Sequence, residues 1–104
     1  MTPNSLSEQY RLIGIEWVEL DHAARLLEAT KSAVLSQRMA ALGDMPVSRA
    51  ESQVKSSPFW IDHVTKIEEA RTAANLKKVE METIRMQFSE QQSREATDRA
   101  ERRM

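Results

Sequence analysis

The sequence predicts an all-α chain folded as a long antiparallel helical hairpin of the coiled-coil kind, and three observations carry that prediction. Apolar residues recur at alternating steps of three and four over two long stretches, the spacing that lines up one face of a helix. Chain breakers are scarce: two glycines (Gly14, Gly43) and three prolines (Pro3, Pro46, Pro58). Aromatic residues make up only 5% of the chain while charged residues make up 30%, which favours long helices over a compact globule. At 104 residues the chain holds a single domain.

The first helix is expected over about 5–42. Ser5 followed by Glu8 matches the capping box, in which the serine oxygen accepts a first-turn N–H and the glutamate reaches back to the serine N–H. Its seam then reads Leu6, Tyr10, Ile13, Trp17, Leu20, Ala24 and Leu27. It meets Lys31, resumes at Val34 or Leu35, and ends with Met39 and Leu42. The one-residue drift is what a 3.6-residue turn gives on a 3.5-residue repeat. Gly14 lies inside this helix, either simply tolerated or marking close approach of a partner backbone, and tolerance is the favoured reading.

Gly43 can adopt the left-handed conformation that closes a helix, and Pro46 follows soon after, so a loop is expected over 43–47. Ser48 and Glu51 repeat the capping-box spacing and predict a short helix over about 48–56. Ser57-Pro58 reads as an N-cap with proline at the first helical position, and the residue before proline avoids helical geometry, so a break is expected there. The last helix is expected over about 58–100. Its seam reads Trp60, His63 or Val64, Ile67, Ala70, Ala74, Lys77, Met81, Ile84 and Phe88. Beyond Phe88 the same positions hold Gln91, Glu95 and Asp98, which predicts a polar tail that frays on its own.

A short connection makes the long helices antiparallel neighbours. Charge favours this: residues 1–30 hold five acids against two bases, and residues 85–104 five bases against four acids. Two seams still leave Tyr10, Trp17, Trp60 and Phe88 half covered, so the hairpin is expected to assemble as a homodimeric four-helix bundle.

Function classes narrow by chemistry. The chain has no cysteine, which removes disulfides, thiolate metal sites and cysteine nucleophiles. His22 and His63 match no metal-binding spacing, and the adjacent pairs Asp21-His22 and Asp62-His63 do not face each other on a helix. Neither a phosphate-cradling glycine loop nor a Gly-x-Ser-x-Gly turn is present, and Glu68-Glu69 and Glu80/Glu82 lie among cations as a solvated face. The expectation is therefore a non-enzymatic chain with no catalytic residues, cofactor or metal, acting by binding a protein partner. The opening residues Met1 to Ser7 do not read as a signal peptide and no apolar run is long enough to span a bilayer, so a cytoplasmic, membrane-free setting is expected. The second reading is nucleic-acid binding by Arg85, Arg94, Arg99, Arg102 and Arg103. Glu90, Glu95, Asp98 and Glu101 alternate with them, and the net charge of the chain is −1, so that signal is weak.

The segment Ala70-Arg71-Thr72-Ala73-Ala74-Asn75-Leu76-Lys77-Lys78-Val79 resembles a group of small uncharacterised helical proteins encoded by temperate bacteriophages and prophages of proteobacteria. So do Ile84-Arg85-Met86-Gln87-Phe88 and the run from Ser93 to Arg102. The similarity is best over residues 45–104 and looser over the first helix. Where members of the group carry Glu-Ala-Trp-Arg-Thr, this chain has Ser89-Glu90-Gln91-Gln92-Ser93, one aromatic fewer. The resemblance implies an accessory to phage DNA metabolism and recombination, or an antagonist of a host enzyme.

Overall fold

The computed structural model describes residues 5–103 of the chain. It contains three helices: α1 (Leu6–Ala41), α2 (Val47–Lys55) and α3 (Pro58–Arg102). α1 and α3 pack antiparallel. Successive cross-chain neighbours fix the direction: Arg38 lies over Phe59, Glu28 and Asp21 on Arg71, and Glu16 on Lys77. Leu6 and Tyr10 share a groove with Ile84 and Phe88. The molecule is a rod of 83 × 28 × 18 Å.

Local chemistry sets the helix ends. The Ser5 side-chain oxygen accepts the Glu8 N–H at 3.2 Å. Glu8 does not complete the expected box, because both its carboxylate oxygens are taken by Arg11, at 2.6 and 3.1 Å. An ion pair one turn along displaces the return bond to Ser5. Gly43 takes φ +85° and its N–H donates to the Ala40 carbonyl, ending α1. Ser48 does not cap α2. The helix starts one residue earlier, with Pro46 in extended geometry at the N-cap and its carbonyl accepting the Ala50 N–H. The proline ring carries no acceptor, so no side-chain cap forms there. Ser57 caps α3 through Trp60 N–H at 3.3 Å, with Pro58 opening the helix.

The core is thin. Its buried residues are Ala24, Ala50, Val54, Trp60, Ile67, Ala74 and Ile84, all apolar. Ala24 and Ala74 have no exposed surface. Leu6, Ile13, Trp17, Leu20, Leu27, Val64 and Met81 are half-buried seam residues. Tyr10 and Phe88, expected in the seam, are 40% and 44% exposed. They sit where α1 begins, and among the described residues no third element covers that end. The other end is closed by α2, whose Ala50 and Val54 pack inward.

Trp60 and Phe59 flank His63, with ring centroids 5.9 and 6.2 Å from the imidazole. The Arg38 guanidinium lies 3.4 Å from the Phe59 ring centroid and ties the end of α1 to the start of α3. The His63 Nε2 is buried without a hydrogen-bond partner among the described residues.

At Gly14, a Cβ would meet the Met81 methyl at 3.5 Å, an ordinary contact, and no backbone of α3, so the hairpin itself has room for a methyl there. Gly14→Ala should therefore stabilise the hairpin by about 1 kcal/mol by removing a helical glycine, read as a rise of several degrees in melting temperature. Trp60→Ala, by contrast, should cost about 3–5 kcal/mol because it empties a buried site at the closed end.

Candidate functional site

The long edges of the hairpin carry different chemistry. On one edge, Arg71 of α3 reaches two carboxylates of α1. Its Nη1 donates to Asp21 at 2.7 Å, and its Nε and Nη2 donate to Glu28 at 2.8 and 3.2 Å. Arg25 holds the second oxygen of Asp21 at 2.9 Å. Hydrogen bonding to Arg71 lowers the pKa of Asp21 and of Glu28 below the ordinary carboxylate range, and raises that of Arg71 itself. On the opposite edge Lys77 bridges Glu16 at 2.8 Å and Glu80 at 3.4 Å, and its pKa is raised chiefly by the bond to Glu16.

Sequence reading pointed to the terminal arginines as the complement of the acidic start of α1. The structure places the pairing mid-hairpin instead, at Arg71 and Lys77. Among the described residues Arg85 reaches no carboxylate, and Arg94, Arg99, Arg102 and Arg103 lie on the part of α3 that runs past α1. Residues 89–102 project beyond Leu6 by about 20 Å, at 1.5 Å per residue. All five arginines are exposed, and none forms an ion pair among the described residues. The Arg99 Nε donates to the Glu95 carbonyl within the helix. The tail is helical through Arg102, with every side chain from Arg85 to Arg103 exposed.

Where α1 starts, Leu6, Ser7, Tyr10, Ile84, Arg85 and Phe88 line a shallow open groove of about 300 Å³, almost wholly apolar. The outer surfaces of both long helices carry further apolar side chains. Leu12, Ile15, Val18 and Leu26 of α1 are 39–58% exposed, and Leu76, Val79 and Met86 of α3 are 60–61% exposed. The α3 stripe follows steps of three and seven, with Thr83 between, a helical face of its own opposite the seam.

Among the described residues, no three His, Cys, Asp or Glu side chains come together to hold a metal ion, and no helix is long and apolar enough to cross a membrane. His22 is exposed on α1 and His63 is packed at the closed end. No protein-family model, curated protein or solved structure matches the chain.

The Arg71 clasp makes stability depend on acid. Asp21 and Glu28 have lowered pKa values in the fold, so their contribution is complete above the unfolded carboxylate values of about 4 and is lost as pH falls through the lower folded values. Melting temperature should therefore drop between about pH 5 and pH 2. Arg71→Gln should flatten that drop while lowering the melting temperature at pH 7; an unchanged acid profile would detach the clasp from stability.

Proposed function

We propose that the chain is a non-enzymatic interaction protein of the phage or prophage type, dimeric as a four-helix bundle, that binds a protein partner through its helical surfaces. The observation that carries this reading is the surface left open. A compact monomer of 11.9 kDa exposes roughly 6,000 Å², whereas this chain exposes 8119 Å². The difference is roughly 2,000 Å². A standard protein interface buries about 800 Å² per partner, so there is room for a second copy and for a foreign protein.

The groove fits the foreign partner best. Aromatic side chains beside an arginine are the composition that concentrates binding energy in protein interfaces, and Tyr10, Phe88 and Arg85 meet there. A partner helix carrying a bulky apolar side chain and a nearby carboxylate would fill it. A protein retained at fixed stoichiometry by the wild type and lost with Tyr10→Ser/Phe88→Ser supports this reading. Retention that ignores the double substitution removes the groove from it.

One observation favours a second reading, an accessory of phage DNA recombination that binds nucleic acid. The guanidinium groups of Arg85, Arg94, Arg99, Arg102 and Arg103 are exposed and free of ion pairs among the described residues. Phosphate-driven binding weakens steeply between about 50 and 200 mM salt. On the first reading, light scattering with single- or double-stranded DNA at the lower salt shows no complex. A complex that dissolves at the higher salt and disappears when the four tail arginines are neutralised would replace it with the second.

A further inference from the structure

The Arg71 clasp is one rung of a longer ladder. Arg71, Lys78, Arg85, Gln92 and Arg99 stand seven residues apart on α3. In a paired helix every seventh residue returns to the same flank of the seam. On α1 the facing flank holds Glu28, Asp21, Gly14 and Ser7, again seven apart. Contacts follow this pairing. Arg71 meets Glu28 and Asp21. The Asp21 pKa, lowered chiefly by the bond to Arg71, is lowered further by the charge of Lys78. Arg85 lines the open-end groove with Ser7.

The acids run out before the cations do. Beyond Asp21 this flank of α1 offers a glycine and a serine, and neither carries a charge. Lys78 and Arg85 are exposed and form no ion pair among the described residues. They stand about 10 Å apart along the helix, at 1.5 Å per residue. Beside them opens a second hollow of about 130 Å³, lined also by Tyr10, Trp17, Met81 and Glu82. It adjoins the open-end groove, with which it shares Tyr10 and Arg85. Arg99 carries the ladder onto the projecting tail. A straight helix drifts by only about 20° per seven residues, so Arg99 keeps to the same side.

We infer that this edge docks an acidic amphipathic helix of the partner protein. Its carboxylates, seven residues apart, lie against Lys78 and Arg85, and an apolar side chain fills the hollow between Tyr10 and Trp17. The hairpin already contains the pattern: Asp21 and Glu28 are two carboxylates one heptad apart on a helix, received by the same flank of α3. The incoming helix does at the unpaired rungs what α1 does at Arg71. Its apolar stripe sets it apart from a phosphate backbone, which has no side chain for a hollow walled by tyrosine, tryptophan and methionine. Glu82 lines the same hollow and repels a continuous run of phosphates, whereas carboxylates seven residues apart straddle it.

This inference rests on the protein-partner reading above and names the chemistry of that partner. The probe is a stapled, monomeric helix of four heptads, with leucines along one stripe and a glutamate at every seventh position beside it. It is titrated into the full chain at about 50 mM salt, and the two tryptophan indole N–H resonances are followed by NMR. The Trp17 resonance should shift and saturate, while that of Trp60, at the closed end, stays in place. Lys78→Glu/Arg85→Glu should weaken binding by roughly tenfold or more with helical circular dichroism retained. Arg94→Glu, off the ladder, should change it by less than about twofold. A probe with lysines in place of its glutamates should not bind. A wild type that ignores the acidic probe overturns the inference, as does binding indifferent to Lys78→Glu/Arg85→Glu or equally weakened by Arg94→Glu. A DNA duplex that moves the Trp17 resonance where the acidic probe does not overturns it in favour of a phosphate backbone. The groove reading is decided separately, by Tyr10→Ser/Phe88→Ser and the retained protein. If the glutamate pair unfolds the chain, Lys78→Gln/Arg85→Gln decides: affinity should still fall several-fold, and no fall overturns the assignment.

Discussion

The rest of the molecule depends on the packing of α1 against α3, in which Ala24 and Ala74 are fully enclosed. Ala24 and Ala74 are enclosed completely although neither has a large side chain, so it is neighbouring backbone and side chains that cover them. Close packing there brings Arg71 within reach of two carboxylates on α1 at once. Those bonds fix which turn of α3 lies against which turn of α1. Larger residues follow in both directions: Trp17 and Met81 toward the open end, Ile67 and Trp60 toward the closed one. Their register is the one that the alanines and the clasp impose.

A hairpin of two long helices has only two layers, so each helix has one long neighbour and keeps an outward face. α2 relieves this at one end. Its buried Ala50 and Val54 close the corner near Phe59 and Arg38. Among the described residues no such element serves the other end, where Tyr10 and Phe88 stay partly exposed around an apolar groove. The rod thus has a capped end, an open end and a projecting helix. Its asymmetry gives the proposed partners separate surfaces: the groove for a foreign protein and, on the alternative reading, the tail for a phosphate backbone.

The helices were legible because their signals are local. Ser5, Gly43 and Ser57-Pro58 each act through backbone atoms a few residues away, and the spacing of three and four needs only the chain itself. What was not legible depends on register. Nothing about Arg71 distinguishes it from Arg85 or Arg94 in the sequence; it becomes the central cation because the antiparallel packing of α1 and α3 places it opposite Asp21 and Glu28. The charge bias between the two ends of the chain suggested the antiparallel direction while naming the wrong cations, since the tail arginines lie beyond the reach of α1. Ala50 and Val54 were missed because α2 is too short for a periodic stripe. Ser48 misled because α2 begins at Val47, which puts Ser48 inside its first turn rather than at the cap. The outer stripe of Leu76, Val79 and Met86 was present in the sequence, but it stands out only once the seam is known.

The ion pair of Asp21 with Arg71 holds α1 and α3 in one antiparallel register. A double-mutant cycle with Asp21→Ala, Arg71→Ala and the combined variant, read by denaturant unfolding, tests it most directly. The combined variant should be less destabilised than the two single losses added together. Strict additivity would mean that the two side chains do not meet in solution, and would contradict the register on which the whole structure rests.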